Sequence, residues 1–392
     1  MSYTLVISEK PDSARRIAEA IADKKPKTIE RNGVNYYEFT VNGRRHICTP
    51  AVGHLFVLNR KAGKKWNYPI FDLEWIPTYE RKETAWTGKY FRNIQELSKD
   101  ADEFIDAADF DNEGEVLLYN ILRFICGVED AKRMKFSTLT KDELIESYRN
   151  MSDHISFSMA EAGLTRHELD ALWGFNLTVA LTLALKAGGL KGFTVLSTGR
   201  VQGSTLELLM ERELEIRKFK PAPFWQLELH VKLNGDEAVA TFEKERVWGK
   251  EEAEKIFDAC KGKDAIVRDV KKRGHKQNPP PPFNTTDLQA EAYAQFGFSP
   301  TQTLSIAESL YQAGYISYPR SSSQKLPPSI DYQKILKAIG KLVPYQKFVQ
   351  ELLKKSLKPV EGPRDDPAHP AVYATHEVPG LNKLNAQQKK IY

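Results

Sequence analysis

Short apolar runs followed by helix-period segments open the chain. "TLVIS" (4–8) is a β-rich run that stops at Glu9-Lys10-Pro11. Behind it, "SARRIAEAIAD" sets Ala14, Ile17, Ala18 and Ile21 at helical spacing, with Asp12 or Ser13 as N-cap and Pro26 beyond the end. The same plan recurs further on. "EFIDAADF" leads into "DNEGE" and then "VLLYNILRFIC", a helical stretch with Leu117, Ile121, Leu122 and Ile125 on one face. Between the two pairs, "YYEFTVNGRRHICTP" reads as a hairpin turning at Asn42-Gly43. Strands alternating with helices to about residue 150 predict an α/β sheet that is parallel at least in part. From about 155 to 215 the period is helical, with a break at Gly188-Gly189, and residues 224–244 alternate with period two around an Asn-Gly turn, which predicts a β-hairpin. "KKRGHKQNPPPPF" (271–283) is a charged, proline-rich joint. Beyond it, "TTDLQAEAYAQF" and "SPTQTLSIAESLYQAG" predict two helices, the second with Ser299 as N-cap, Pro300 in the first turn and Gly314 as its stop. The chain has no internal repeat.

Composition narrows the class. At 392 residues, and roughly 150 per domain, two to four domains are expected. No run approaches the ~20 apolar residues of a membrane span, and the N-terminus enters a strand without the charged region of a signal peptide. Cys48, Cys126 and Cys260 are too scattered for a zinc ribbon or a disulfide framework and read as free thiols of a reducing compartment. A net charge of +5 is a mild pointer to a polyanionic partner. The basic clusters at Arg44-Arg45, Lys61 to Lys65, Lys132-Arg133 and Lys271 to Lys276 read first as solvated surface.

Two segments carry candidate chemistry. In an open parallel sheet, ligands bind beyond the carboxyl ends of the strands. Glu9 ends the first strand and Asp109 and Asp111 follow a later one, so chain order brings acids from two segments to one edge, with Glu113 on the turn into the next helix. Such hard oxygens suit Mg²⁺, and Lys10 beside them is poised for a phosphate. An acidic turn before a helix is also what a plain helix cap looks like. The second segment is "YISYPR". Pro319 pushes Tyr318 out of the helical region, and Arg320 stands close enough to clamp a phosphate. A tyrosine with a pKa of about 10 needs nearby positive charge to act as a nucleophile, and taken alone Tyr318 reads as structural.

Read together, these blocks resemble the type IA DNA topoisomerases, and within them look most like the topoisomerase III group. "LVISEKPDSARRIA" resembles the first TOPRIM motif and "DFDNEGE" the second. "RHELDALWGFNLT" (166–178) and "STGRVQGSTL" (197–206) resemble the two strand-binding motifs, "FGFSPTQTLSIAESLYQAGYISYPRSSS" the active-site tyrosine motif, and "DPAHPA" (366–371) the histidine motif. The resemblance implies an α/β + α multidomain fold: a Rossmann-like TOPRIM sheet (1–152), a helical strand-binding part (153–217), a β-rich arch segment (218–278) and a helical, winged-helix-type tyrosine domain (279–392). It implies Tyr318 as the nucleophile of a 5′-phosphotyrosine intermediate, Glu9 as the general acid, Lys10 and Arg320 on the phosphoryl group, and His369 assisting. It implies Glu9, Asp109, Asp111 and Glu113 as Mg²⁺ ligands, with Arg166, Asp170, Arg200, Gln202 and Thr205 on single-stranded DNA. The expected enzyme is an ATP-independent isomerase that relaxes negatively supercoiled DNA in the cytoplasm, associated with the nucleoid and with no membrane, and no "GxxxxGK[ST]" loop occurs. The chain departs from the family pattern at Asn112, Val179 and Gly203-Ser204. Its end at "AQQKKIY" implies a fragment, or half of a split enzyme whose C-terminal partner completes the arch. The alternatives are another TOPRIM nuclease or primase, and a non-catalytic single-stranded-DNA-binding fragment.

Overall fold

The computed structural model describes residues 2–61, 68–189, 192 and 194–392. They form two compact units: Met1–Gly199 with Asn278–Tyr392, and Arg200–Gln277.

The first unit is built on a six-stranded mixed sheet. Its strands are β1 (Tyr3–Ser8), β2 (Lys27–Arg31), β3 (Val34–Val41), β4 (Arg44–Pro50), β7 (Ala101–Ala107) and β8 (Lys132–Arg133), in the order β2-β3-β4-β1-β7-β8. A separate hairpin joins β5 (Phe56–Arg60) to β6 (Leu73–Pro77). The strands β4, β1, β7 and β8 run parallel, as the strand–helix alternation predicts, while β2 and β3 add antiparallel pairs. The expected turn at Asn42-Gly43 has both residues at positive φ. Asn32-Gly33 makes a second such turn, which the sequence reading passed over. Strand β1 is buried along its whole length and packs a different core on each face: Val6 with Ile17 and Ile105, and Leu5 and Ile7 with Ile94 and Leu118.

Helices α1 (Pro11–Ile21), α2 (Gly88–Ser98), α3 (Asn112–Ile121) and α4 (Lys141–Arg149) flank the sheet. The predicted start of α1 is corrected. Lys10, not Asp12 or Ser13, is the N-cap, and Pro11 occupies the first turn, where its fixed φ fits and its missing N–H costs nothing. Helix α3 begins at Asn112, so "NEGE" is its first turn, and a π turn at Leu122–Cys126 ends it.

Next comes α5 (Phe157–Ala187), which packs on α3. By length and composition alone it is apolar enough to cross a membrane, with a mean hydropathy of 1.2 over its best 18-residue window, although it holds no continuous apolar run of the length the composition reading sought. Its leucines are spaced by Thr, Asn and Gly, so no continuous apolar run announces it.

The basic clusters also resolve. Arg133 is fully buried rather than solvated, while Lys132 reaches Glu103 at 2.6 Å. Arg44 and Arg45 pair with Asp102 and Glu38 at 3.0 and 2.8 Å. Of Lys61 to Lys65, residues 62–65 lie outside the described residues.

The second unit, described by itself, holds α6 (Arg200–Lys218), the predicted hairpin β9 (Glu228–Leu233) and β10 (Asp236–Thr241), and α7 (Lys250–Cys260). The chain returns to the first unit with α8 (Thr285–Phe296), α9 (Pro300–Gln312), α10 (Tyr332–Ile339), α11 (Gln346–Leu352) and α12 (Ala386–Ile391). Ser299 caps α9 through Gln302 N, as predicted. At its other end, Gly314 at φ +75° lets the amides of Gly314 and Tyr315 return to the carbonyls of Tyr311 and Leu310, which closes a Schellman motif.

Candidate active site

The parallel register of β1 and β7 pairs Ser8 with Ala107, so both strands end level and release Glu9 and Asp109 at one edge. The loop after β7 is shaped from beneath by Arg133. Its guanidinium donates to the carbonyls of Ala108 (2.7 Å) and Asp109 (3.0 Å) and pairs with Glu115 (2.6 Å) and Asp106 (3.4 Å), all without solvent. Gly114 is needed here because a Cβ would stand 2.1 Å from the Asp109 carbonyl oxygen. Asp111 is the N-cap of α3, its Oδ1 accepting from Gly114 N at 2.8 Å. That leaves Oδ2 facing outward.

Helix α9 and the segment after it close over this edge. Tyr318 Oη donates to Asp111 Oδ2 at 2.6 Å, and Tyr311 Oη donates to Asp109 Oδ1 at 2.8 Å. Tyr318 lies outside any helix, between the end of α9 and Pro319, and its amide donates across to the Ser137 carbonyl at 2.8 Å. Lys10 Nζ stands 3.5 Å from Glu9 and 3.7 Å from Asp109, and it also contacts Glu308 of α9. Arg16 of α1 holds the Ala313 carbonyl at the end of α9 and Glu377 at 3.0 Å. The His369 ring packs on Tyr318 with centroids 4.6 Å apart, Nδ1 faces Ser137 Oγ at 3.0 Å, and Nε2 is buried with no hydrogen-bond partner.

Burial and crowded negative charge set the protonation of this cluster. Burial, then the neighbouring Glu9, push the Asp109 carboxyl up to about 8. Glu9 is raised by burial and by Asp111 and Glu308, although Lys10 opposes this. Burial pulls Lys10 down, but Glu9, Asp109 and Glu308 more than offset it and hold the ammonium firmly charged. Burial, then Asp109 and Asp111, raise the Tyr318 phenol far above its ordinary value. Burial lowers His369 to about 4, so the ring is neutral at physiological pH. Asp109 Oδ2 is buried without a hydrogen-bond partner. A hard divalent cation would satisfy this buried carboxylate oxygen, and Glu9 and Asp111 on the same edge are the further oxygens it could draw in, although the three carboxylates do not all lie within 4.8 Å of one another.

The remaining candidates sit elsewhere. Arg320 is exposed just past Pro319. Glu113 turns to His54 (3.0 Å), His167 (3.1 Å) and Arg166 (2.9 Å). Asp170 lines a cleft of about 480 Å³ with Arg60, Thr178, Ser197 and Thr198. Arg200, Gln202 and Thr205 are exposed on α6 in the second unit, Thr205 Oγ1 donating back to the Val201 carbonyl at 2.8 Å. Sequence reasoning missed Tyr311, Glu308, Ser137, Arg16 and Arg133. Tyr311 and Glu308 had a signal, since both lie within the two turns of α9 before its cap, on the helix that delivers Tyr318. Ser137 and Arg133 had none, because their roles arise from long-range packing.

Comparison with known proteins gives concordant matches. A family profile described as DNA topoisomerase matches residues 154–392, and one described as Toprim domain matches 4–139. The chain is 45% identical to DNA topoisomerase 1 of Pyrococcus horikoshii, over 99% of this chain and 57% of that protein. It is 44% identical to DNA topoisomerase 1 of Methanocaldococcus jannaschii, over 99% and 50%. DNA topoisomerase 3 of Bacillus licheniformis is 30% identical, over 100% and 53%. The expected likeness to topoisomerase III is thus present at lower identity than the likeness to archaeal proteins named topoisomerase 1. The structure of full-length topoisomerase I from Thermotoga maritima superimposes with a TM-score of 0.66 at 24% identity, covering 99% of this chain and 58% of that one, which establishes a shared fold. The chain spans about half the length of the curated relatives it matches.

Proposed function

This chain belongs to the type IA DNA topoisomerase family, and from that premise we propose that it cleaves and rejoins one DNA strand through Tyr318, relaxing negative supercoils without ATP. The observation that carries this reading is the 2.6 Å hydrogen bond from Tyr318 Oη to Asp111 at the carboxyl edge of the sheet. A nucleophile and the acids proposed to serve it come from residues more than 200 apart in the chain and meet with their functional atoms in contact.

In the proposed step, Tyr318 Oη forms a bond to phosphorus while the bond from phosphorus to the 3′-oxygen breaks. The phenol proton passes to Asp111, the carboxylate it already faces. The leaving 3′-oxygen takes a proton from Glu9, whose raised pKa lets it carry one. Lys10 and the exposed Arg320 offset the charge that grows on the nonbridging oxygens. His369, neutral and packed on the tyrosine, assists from the other side. Rejoining is the reverse. Mg²⁺ held by Glu9, Asp109 and Asp111 would supply further positive charge beside the phosphate. The cleft beside Asp170, with Arg166, is proposed to bind single-stranded DNA in the first unit, and Arg200, Gln202 and Thr205 of α6 are proposed to contact it in the second. We retain for this reading the four-part division at 152, 217 and 278.

The test is a single-stranded oligonucleotide labelled at either end, incubated with Mg²⁺, denatured in SDS and run on a gel. The 3′-labelled strand should shift with the protein, and the 5′-labelled strand should yield a shorter free fragment. Tyr318→Phe should abolish both. Asp111→Asn should lower adduct formation by about 10²-fold or more while leaving α3 capped, since Asn caps as well as Asp. Cleavage that survives Tyr318→Phe would favour a nuclease or primase of the same sheet type. DNA binding with no cleavage would favour a binding module.

A further inference from the structure

We propose that His54, Glu113 and His167 form a site for one borderline divalent ion of the Zn²⁺ class, separate from the oxygen cluster of Glu9, Asp109 and Asp111, and that the ion staples α5 to the sheet.

Among the described residues, these three are the group whose donor atoms all lie within 4.8 Å of one another. Nε2 of His54 and Nε2 of His167 stand 3.0 and 3.1 Å from the same oxygen, Glu113 Oε2. A tetrahedral zinc-type ion spaces its nitrogen and oxygen ligands by about 3.3 Å, so the two nitrogen–oxygen distances need lengthen by only a few tenths of an ångström, and the two nitrogens lie within 4.8 Å of each other. Two imidazoles and one carboxylate favour Zn²⁺, Co²⁺ or Ni²⁺ over Mg²⁺, which prefers oxygen alone. Each side chain is about 30% exposed, which leaves an approach for the ion and a water in the fourth position.

The surroundings hold the donors in place. Arg166 grips Glu113 Oε1 at 2.9 Å, which turns Oε2 toward the imidazoles. Rings pack on His167 from two sides, Trp75 at 5.7 Å and His54 at 5.1 Å between centroids. A separate observation concerns the loop that presents His54. Val52 lies at φ +75°, a left-handed conformation that a β-branched residue adopts only at a cost, and Val52 N and Gly53 N both donate to the Glu9 carbonyl, at 2.7 and 3.2 Å. The strain carries His54 to Glu113 and α5.

Without an ion, the same geometry is two N–H donors sharing one carboxylate oxygen. Ion binding separates the two cases, and it does so independently of whether the chain transfers DNA strands. The full chain carrying Cys260→Ser, which removes the exposed thiol, is titrated with Co²⁺ in excess Mg²⁺ and followed by visible absorption and thermal unfolding. One equivalent should give the intense absorption of a four-coordinate ion, raise the unfolding midpoint, and be displaced by Zn²⁺. His167→Gln should weaken binding by at least about 100-fold and remove the midpoint shift. His154→Gln, which alters only an exposed pair with Asp130, should change neither. If His167→Gln does not fold, the near-isosteric Glu113→Gln gives the same readout. No uptake, or weak six-coordinate absorption that survives these substitutions, would overturn the proposal.

Discussion

Asp111 performs two tasks with two oxygens. Oδ1 caps α3 through Gly114 N, and Oδ2 accepts the hydrogen bond of the Tyr318 hydroxyl. The capping and catalytic readings of "DNEGE" are therefore compatible, because a cap fixes the carboxylate that the phenol then finds. His369 is the residue here whose titration is most open to test. It is 3% exposed, and its pKa falls from 6.5 to about 4 through burial. Between those values the unfolded chain takes up a proton that the native ring refuses, so the stability this ring contributes is present above pH 6.5 and is lost as pH falls toward 4. The loss is about 3 kcal/mol. His369→Gln removes that dependence. The gap in unfolding free energy between the parent and the variant, measured in urea, should shift by about that amount from pH 7 to pH 4. A gap independent of pH would show that the ring is not buried as described.

At the scale of elements, the acid loop depends on its buried guanidinium. Arg133→Met should destabilise the protein by about 3–5 kcal/mol, because Glu115 and Asp106 would be left buried and unpaired. Gly114→Ala should be similarly severe, since the clash is with backbone and cannot be relieved by a rotamer. Denaturant midpoints check both, and a change under about 1 kcal/mol in either would remove the loop from this role. The elements themselves were largely legible. Short apolar runs and helical spacing marked β1, β7, α1 and α9, and two parallel strands of matched ends brought Glu9 and Asp109 to one edge. What stayed hidden depends on side chains that meet across the fold. Arg133 reads as surface because a two-residue strand gives no period from which to judge its face. The His54–Glu113–His167 cluster joins a loop, a helix start and a distant helix, and no local spacing announces it.

For the molecule as a whole, the notable property is closure. Tyr318 is 4% exposed, and Leu310, Tyr311 and Tyr318 belong to the same core as Val6 and Ile17 of the sheet side. The contact surface is rich in polar pairs that can separate without exposing apolar area alone: Lys10–Glu308, Ser13–Gln312 and Arg16–Glu377. Under the proposed function, a strand would reach the tyrosine by parting α9 and its following segment from the sheet edge. Excess single-stranded DNA should speed hydrogen exchange at the Tyr318 amide, which donates to Ser137, while amides within β1 stay protected. Unchanged exchange at saturating DNA would require another route in.

The order of the motifs made the overall assignment readable. The identity of the reacting phenol was less so, because Tyr311 sits 5.2 Å from Tyr318 and binds the adjacent acid. Tandem mass spectrometry of the tryptic peptide from a DNA adduct trapped in SDS separates them. A 5′-phosphate nucleotide linked to Tyr318 is the expected result. The same modification on Tyr311, or no modified peptide from a protein that binds the oligonucleotide, would contradict the account.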